Sequence, residues 1–212
     1  MKQTIWRTFA VLGIVVFALF ASSWVFFPVK QVLISGSKQL NPKEVARLAG
    51  VSRGNPWLWV GAARAAKLST EPWVQSAKIV KTFPDTVTIQ LTERVPLATW
   101  RHAEKTQVIA EDGTVLPGAN AKLKLEGQIK ERETAAGKKY FSEMLSAVRA
   151  ARDMGAERVK FDSNGYVISF KQSEIWAANL ESLLKYGESV RMMVMQQKAK
   201  RINVYSWGVS LQ

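Results

Sequence analysis

The chain opens with a continuous apolar stretch and not with an alternating pattern. Residues 8–27 include no charged side chain over 20 positions. A helix of that length spans about 30 Å, the thickness of the hydrocarbon layer of a bilayer. Lys2 and Arg7 precede the stretch without an acidic residue between them, so the positive-inside rule puts residues 1–7 in the cytoplasm. The pattern predicts a single-pass anchor, with the chain from residue 28 onward outside the cytoplasm.

A cleaved signal peptide is the alternative interpretation of this segment. Ala21, Ser22 and Ser23 are small residues of the kind found at cleavage sites. The apolar run continues past them to Phe27, however, and the apolar core of a signal peptide is usually shorter. We therefore expect residues 1–27 to stay attached, and N-terminal sequencing of the membrane-extracted protein checks this. A mature chain that starts near Trp24 would contradict it.

Residues 28–96 carry patterns of both helix and strand. Asn41 can cap a helix, Pro42 suits its first position, and Gly50 follows its last apolar residue. Residues 86–92 alternate between apolar and polar side chains, as a half-buried strand does. The predicted elements are a strand at 29–34, helices at 41–49 and 58–68, and strands at 74–82 and 86–92. The predicted order is therefore β-α-α-β-β.

Residues 97–212 predict a second domain, of mixed α/β type with a mainly antiparallel sheet. Asp112-Gly113 and Asn164-Gly165 are typical hairpin turns. The predicted elements are strands at 106–110 and 114–116, a loop or linker at 122–139, a helix at 138–154, strands at 158–161 and 166–170, a helix at 173–187 after which helix can resume up to residue 197, and a terminal strand at 202–211. Together the two regions predict an α+β fold behind one transmembrane helix.

Charge and cysteine content limit the kinds of site and the kinds of partner that the chain can have. The chain has no cysteine, which excludes disulfides and thiolate metal sites. Lys2 and Arg7 account for two of the 30 basic residues, so the exported part has 28 against 17 acidic ones, a formal charge of +11. Outside the cytoplasm we expect no nucleic-acid partner. Anionic lipid headgroups or acidic protein partners suit this charge better.

The sequence shows no coherent catalytic set. The single histidine, His102, has no nucleophile motif to serve, and zinc would need further His or Cys ligands. The candidate carboxylate pairs for glycoside cleavage come from Glu93, Glu104, Glu111 and Asp112. Glu111 and Asp112 adjoin a turn glycine, where aspartate usually serves backbone geometry. We expect no catalytic residue, cofactor or metal, and expect His102→Ala and Glu93→Gln to preserve function in a folded protein.

Several motifs resemble those of a known family. Ile34-Ser35-Gly36 after the first strand looks like part of a POTRA domain. The motifs that are similar to the FtsQ/DivIB cell-division family are Pro72-Trp73-Val74, Pro84-Asp85-Thr86-Val87, and the junction from Glu93-Arg94 to Trp100. Farther on, Gly113 matches a family hairpin. Arg201-Ile202-Asn203-Val204 matches the start of a late strand, with Asn203 in place of the family's common Asp.

The resemblance implies an architecture and a role. The implied parts are a cytoplasmic tail (1–7), a transmembrane helix (8–27), a POTRA domain (28–96) and an FtsQ-type β domain (97–212). The protein would lie in the inner membrane at the division septum, with its bulk in the periplasm. It would bind FtsB/DivIC-like and FtsL-like single-pass proteins, with other division proteins at the POTRA domain, and help control septal peptidoglycan synthesis. Two alternatives stay open: a secretion or outer-membrane assembly factor, and a membrane-tethered cell-wall hydrolase.

The terminal segment is the candidate binding site. A strand that ends the chain can leave one sheet edge unpaired, and an unpaired edge can accept a partner strand. Tyr205 and Trp207 are of types enriched at binding hot spots, and Gly208 permits close backbone approach. The candidate partner-binding residues are Arg158, Ile202, Asn203, Val204, Tyr205, Ser206, Trp207, Gly208 and Val209. The alternative is a strand that is paired on both sides and completes the core.

Overall fold

A computed structural model of the chain describes residues 10–18, 22, 27–102, 105–127, 135–162, 164–196 and 199–212, without the side chains of residues 102, 135–140 and 162. Residues 10–18 are helical. Among the described residues, no helix is both long and apolar enough to cross a membrane. Most of the rest of the predicted span 8–27 lies outside the described residues. The chain divides into two compact units, Met1–Arg94 and Val95–Gln212.

The first unit is a three-stranded sheet with two α-helices. Its elements are β1 (Gln31–Ser35), α1 (Pro42–Ala49), a 3-10 turn (Trp57–Trp59), α2 (Ala62–Leu68), β2 (Val74–Thr82) and β3 (Thr86–Glu93). The strand order is β1-β3-β2, with β1 parallel and β2 antiparallel to β3. This mixed α+β arrangement confirms the predicted element order.

Local sequence signals account for most of these boundaries. The Asn41 side chain accepts a hydrogen bond from the Lys43 backbone N–H, and Gly50 ends α1 in the left-handed conformation at φ 64°. The alternation in β3 buries Val87, Ile89 and Leu91. One prediction is wrong in detail: the helix expected at 58–68 is interrupted, because Gly61 is extended and caps a shorter α2.

The second unit is built on one eight-stranded sheet. Its elements are β4 (Pro96–His102), β5 (Lys105–Ala110), β6 (Lys124–Glu126), α3 (Ala135–Asp153), β7 (Arg158–Asp162), β8 (Gly165–Ser169), β9 (Glu174–Ala177), α4 (Leu180–Met195), β10 (Arg201–Tyr205) and β11 (Gly208–Leu211). The strand order is β11-β10-β9-β8-β7-β6-β4-β5. Four of its pairings are antiparallel and three are parallel. Helices α3 and α4 pack against each other and against the sheet.

Three strands of this sheet, β4, β6 and β9, were not predicted from the sequence. Residues 122–139 were expected to be a loop, but they contain β6, which is parallel to both β4 and β7. Residues 173–187 were expected to be helical, but β9 occupies Glu174–Ala177 and α4 begins only at Leu180. In β9, Ile175 and Ala177 are buried at a spacing of two, which is the period of a strand.

Other elements of the second unit agree better with the sequence prediction. The hairpin around Asn164-Gly165 is confirmed by the antiparallel pairing of β7 with β8. The predicted helix 138–154 corresponds to α3. After Asp112-Gly113, residues 114–116 do not form the expected strand, and only an isolated bridge joins Ile109 to Val115.

Candidate partner-binding edge

The terminal segment is a hairpin and not the single strand expected over 202–211. Strand β10 ends at Tyr205, the chain turns at Ser206 and Trp207, and β11 returns antiparallel from Gly208. Tyr205 lies opposite Gly208, so the turn contains only two residues. The expected strand therefore contributes two neighbouring strands to the sheet, with different environments.

Strand β10 lies inside the sheet, and β11 lies at its edge. β10 pairs with β9 on one side and β11 on the other, and Ile202 and Val204 are fully buried. β11 is the last strand in the sheet order, and no described residue pairs with its outer side. The predicted residues Ile202, Asn203 and Val204 thus belong to an interior strand, whereas Gly208 and Val209 belong to the edge strand.

The hydrogen-bond pattern shows which backbone groups of the edge point outward. The Arg201 and Gln212 backbones donate to each other's carbonyls, at 3.0 and 2.8 Å. In an antiparallel ladder such doubly bonded pairs alternate with non-bonded pairs. By this alternation and the β10–β11 register, Ser210 and Gly208 direct their N–H and C=O groups toward β10. Val209 and Leu211 therefore direct theirs away from the sheet.

Three aromatic side chains run along this end of the sheet. The Tyr205 and Trp207 rings stack with centroids 5.0 Å apart and planes 3° from parallel. Trp176, from β9, contacts Tyr205 at 5.6 Å between centroids. The Trp207 side chain is 75% exposed, so it adds an apolar surface beside the open edge. The place of Trp176 in this group was not predictable, because the pattern of residues 173–187 predicts a helix and not the strand β9.

Helix α4 supports the turn of the hairpin. Lys185 Nζ and Tyr186 Oη both donate to the Ser206 carbonyl, at 3.3 and 3.5 Å. These contacts fix the turn from which Trp207 projects. The role of α4 was not visible in the sequence, because the contacting residues are about 20 positions apart.

The structure does not bring Arg158 to this edge. Arg158 is the first residue of β7, four strands from β11 in the sheet. At about 4.8 Å per strand, that separation is about 19 Å. The Arg158 side chain is half exposed, and its Nε lies 3.7 Å from Glu126 Oε1. A partner strand added at β11 can contact Arg158 only through another part of the partner, which reaches back over the face of the sheet as far as β7.

Three of the four carboxylates considered for catalysis have structural partners among the described residues. Glu93 accepts hydrogen bonds from the Gln39 and Leu40 backbones, and Asp112 accepts one from Thr114 N–H at 3.0 Å. Glu111 pairs with Arg152, and its hydrogen bond raises the pKa of the Arg152 guanidinium. Glu104 and the His102 side chain lie outside the described residues. In the part of the chain that the structure describes, no group of three or more potential metal ligands occurs.

The motifs at the junction of the units also have a structural role. Arg94 donates from its Nη1 to the carbonyls of Pro72, at 2.9 Å, and Val74, while its backbone N–H donates to the Trp73 carbonyl at 2.8 Å. The Glu93-Arg94 motif therefore binds the segment that contains Pro72-Trp73-Val74. In the second unit, Trp100 is buried, and its indole N–H donates to the Gly127 carbonyl at 3.1 Å.

Comparison with known proteins gives consistent matches. Residues 27–94 match the family model described as POTRA domain, FtsQ-type. The chain is 40% identical over 91 residues to the cell division protein FtsQ of Bradyrhizobium diazoefficiens, covering 42% of this chain and 27% of the relative. It is 35% identical over 92 residues to that of Agrobacterium fabrum, covering 42% and 29%. It is 31% identical over 108 residues to that of Corynebacterium glutamicum, covering 49% and 45%. The matches thus span less than half of each of these relatives.

Proposed function

We infer that this chain, which belongs to the FtsQ/DivIB cell-division family, is a non-catalytic scaffold of the bacterial division machinery. It is anchored in the inner membrane by residues 8–27, with residues 1–7 in the cytoplasm and the two units in the periplasm. Its partners are FtsB/DivIC-like and FtsL-like single-pass proteins, through which it helps control septal peptidoglycan synthesis. The matched relatives are named as cell-division proteins, and no observation favours the secretion or hydrolase alternatives.

The open edge of β11 is the observation that carries this proposal. A partner strand laid against β11 would bond to the outward N–H and C=O groups of Val209 and Leu211. Trp207, which is 75% exposed, would then be covered by partner side chains. The backbone hydrogen bonds would fix the register of the partner strand against β11, and the Trp207 side chain would add a large apolar contact. Arg158 would contact only a part of the partner outside the added strand, one that lies over the face of the sheet near β7.

A pair of proline variants tests the edge directly. Leu211→Pro removes an N–H that points outward, and its ring obstructs the incoming strand. We expect it to weaken binding of the FtsB-type partner by about fivefold or more, since one backbone hydrogen bond contributes about 1 kcal/mol and the ring adds a steric obstruction. The melting temperature should change little. Affinity and thermal unfolding should be measured on the same full-length protein in nanodiscs.

Ser210→Pro is the matched variant, one residue away. The Ser210 N–H points toward β10, so this substitution breaks the ladder within the protein and should lower stability. Trp207→Ala should weaken binding and lower stability by no more than about 1 kcal/mol, because the side chain is 75% exposed and loses only its stacking on Tyr205. Unchanged partner affinity in Leu211→Pro and Trp207→Ala, both folded, would show that the partner binds elsewhere.

A further inference from the structure

A second exposed apolar surface lies on the first unit, and the partner-binding edge does not include it. It consists of Leu58 and Trp59 in the 3-10 turn and Phe83 in the turn between β2 and β3. Leu58 and Trp59 are 50% exposed, and Phe83 is 69% exposed. We call these three residues, with Phe27 and Trp57, the aromatic tip. Three large exposed side chains in two turns that meet where Trp57 packs on Phe83 indicate a surface that contacts a membrane or another protein.

The aromatic tip lies where the chain enters the unit. The Phe27 carbonyl accepts a hydrogen bond from Trp57 N–H at 2.9 Å, and the Phe27 and Phe83 rings lie 5.8 Å apart between centroids. Next to them, the Lys30 N–H donates to the Asp85 carbonyl at 2.9 Å. Both turns are therefore held against residues 27–30. Residue 27 ends the predicted membrane span, so with that anchor the tip would lie close to the place at which the chain leaves the bilayer.

The tip is fixed in place by polar contacts behind it. Trp57 packs edge-on against Phe83 at 5.9 Å, and its indole N–H donates to the Thr86 carbonyl at 3.0 Å. Lys81 Nζ lies 4.6 Å from the centre of the Trp57 ring and donates to the carbonyls of Trp57 and Leu58, at 3.3 and 3.1 Å. The neighbouring Leu58 and Trp59 are therefore presented on a rigid turn, and little conformational entropy is lost when they bind.

Positive charge surrounds the aromatic tip. Lys30 is largely exposed, Arg53 is exposed in the loop that bonds to Val29, and Lys81 lies beneath the 3-10 turn. Asp85 is the acidic residue here, and it is paired with Lys30 at 3.3 Å. These four described side chains, three basic and one acidic, sum to a formal charge of +2. This combination of Trp, Phe and Leu with a basic rim is typical of surfaces that bind the interface of anionic membranes.

We propose that the aromatic tip inserts into the headgroup layer of the membrane that anchors the chain. Leu58, Trp59 and Phe83 enter the boundary between headgroups and acyl chains, and the basic rim contacts anionic headgroups. The covalent tether supports lipid as the occupant, because residues 8–27 would hold the tip beside the bilayer continuously. The inference rests on the anchor of the proposed function. It adds a second, non-covalent attachment that orients the first unit on the membrane.

The absence of cysteine makes a site-specific test simple. The full-length protein, with a single environment-sensitive fluorophore on Leu58→Cys, is reconstituted in vesicles that contain phosphatidylglycerol and a spin-labelled lipid. Ser76→Cys is the matched control: Ser76 is exposed on the strand that contains Lys81, five residues or about 17 Å away. Phe17→Cys reports on the anchor. We expect lipid quenching at position 58 to be severalfold stronger than at position 76.

A second variant tests whether the aromatic tip causes this contact. Trp59→Ser with Phe83→Ser, in the Leu58→Cys background, should reduce the lipid quenching to the level of the position-76 control. Circular dichroism verifies that the variant is folded, which is expected because both side chains are at least half exposed.

The outcomes separate this inference from the proposed function. Quenching at position 17 but not at position 58 overturns the membrane contact and leaves the anchor intact. A lack of quenching at position 17 overturns the anchor, and the inference fails with it. A position-58 label that becomes shielded only when FtsB-type or FtsL-type protein is added shows that the tip binds protein and not lipid.

Discussion

At the scale of single residues, Glu93 joins two parts of the first unit. Its carboxylate oxygens accept the backbone N–H groups of Gln39 and Leu40, at 2.8 and 2.9 Å, which precede α1. Glu93→Gln keeps the shape but loses the charge and one acceptor oxygen. We expect the free energy of unfolding to fall by about 1 kcal/mol, below the usual range for hydrogen bonds to a charged group because the contact is partly exposed.

Chemical denaturation measures this loss, and partner affinity should stay unchanged in the folded protein. Glu188→Gln, at an exposed position on α4, is the control for loss of a carboxylate alone. A folded Glu93→Gln protein that binds its partners normally but fails in division would indicate a chemical role for the carboxylate.

Gly36 and Gly54 form a natural pair for separating backbone strain from steric conflict. Both have a positive φ, of 86° and 85°. A Cβ at Gly36 would lie 1.8 Å from the Leu91 carbonyl oxygen, whereas a Cβ at Gly54 would meet nothing within 4 Å. Gly54→Ala should therefore cost about 1–2 kcal/mol from the left-handed conformation alone. Gly36→Ala should cost about 1–3 kcal/mol more, because the backbone must move.

Thermal and denaturant unfolding of the two glycine variants test this difference. Equal losses of stability would show that β3 shifts freely to accommodate the added methyl group. The sequence pointed to Gly36 through the Ile34-Ser35-Gly36 motif, but the reason for glycine depends on a carbonyl 55 residues later in the chain.

Residue-scale features were predictable where their cause is local. The cap at Asn41 and the left-handed Gly50 follow from neighbouring residues, and both are observed. The roles of Glu93 and Arg94 were not predictable in the same way. Their hydrogen-bond partners are 20 to 54 residues distant in sequence, so only the folded chain brings them together.

At the scale of elements, α4 contains an opportunity for stabilisation. Its N-terminus is capped by Asn179, whose side chain accepts the Ser182 backbone N–H at 2.8 Å. The Ser182 hydroxyl itself is buried and has no partner among the described residues. Ser182→Ala removes a buried polar group and should leave stability unchanged or raise it by up to about 1 kcal/mol. Asn179→Ala should instead lower stability by about 1 kcal/mol.

Thermal unfolding of these two α4 variants separates the two effects, because Ser182→Ala should keep or raise the melting temperature and Asn179→Ala should lower it. A destabilised Ser182→Ala protein would mean that the hydroxyl has a partner in solution. Asn179→Asp, which keeps the capping oxygen, should retain the stability of the unmodified protein.

Element type was hardest to predict for the short buried strands. β6 contains three residues, and its Leu125 is fully buried within a charged stretch that gives no periodic signal. β9 precedes α4 by only two residues, so Trp176 and Leu180 together imitate helical spacing. Pairing with distant strands decides both cases, as is usual when tertiary contacts override local preference.

At the scale of the whole molecule, each unit has its own core. The buried apolar residues of the first unit run from Val29 to Leu91, and those of the second from Leu97 to Val204, without a shared member. We predict that residues 95–212 fold when expressed alone and bind the FtsB-type partner within a few-fold of the full-length affinity. Circular dichroism and binding measurements check this. An unfolded fragment would show that the second unit needs the first.

The candidate site was predictable only in part. The terminal position of residues 202–211 and their aromatic content pointed to an end of the sheet, and there the structure has an edge strand, β11. The division into an interior strand and an edge strand was not predictable, because Ser206-Trp207 lacks the glycine or asparagine of typical hairpin turns. The distance of Arg158 from the edge depends on the order of eight strands, which no local pattern determines.

The parallel pairing of β1 with β3 has a mechanical consequence. Five residue pairs join the two strands, from Gln31–Thr86 to Ser35–Gln90. The chain enters β1 at one end of this pair and leaves β3 at the opposite end. Tension applied between residues 30 and 94 therefore runs along the strands and loads their hydrogen bonds together in shear. A hairpin pulled from its open end is unzipped one bond at a time. The β1–β3 pair should therefore resist a higher pulling force than such a hairpin before it separates.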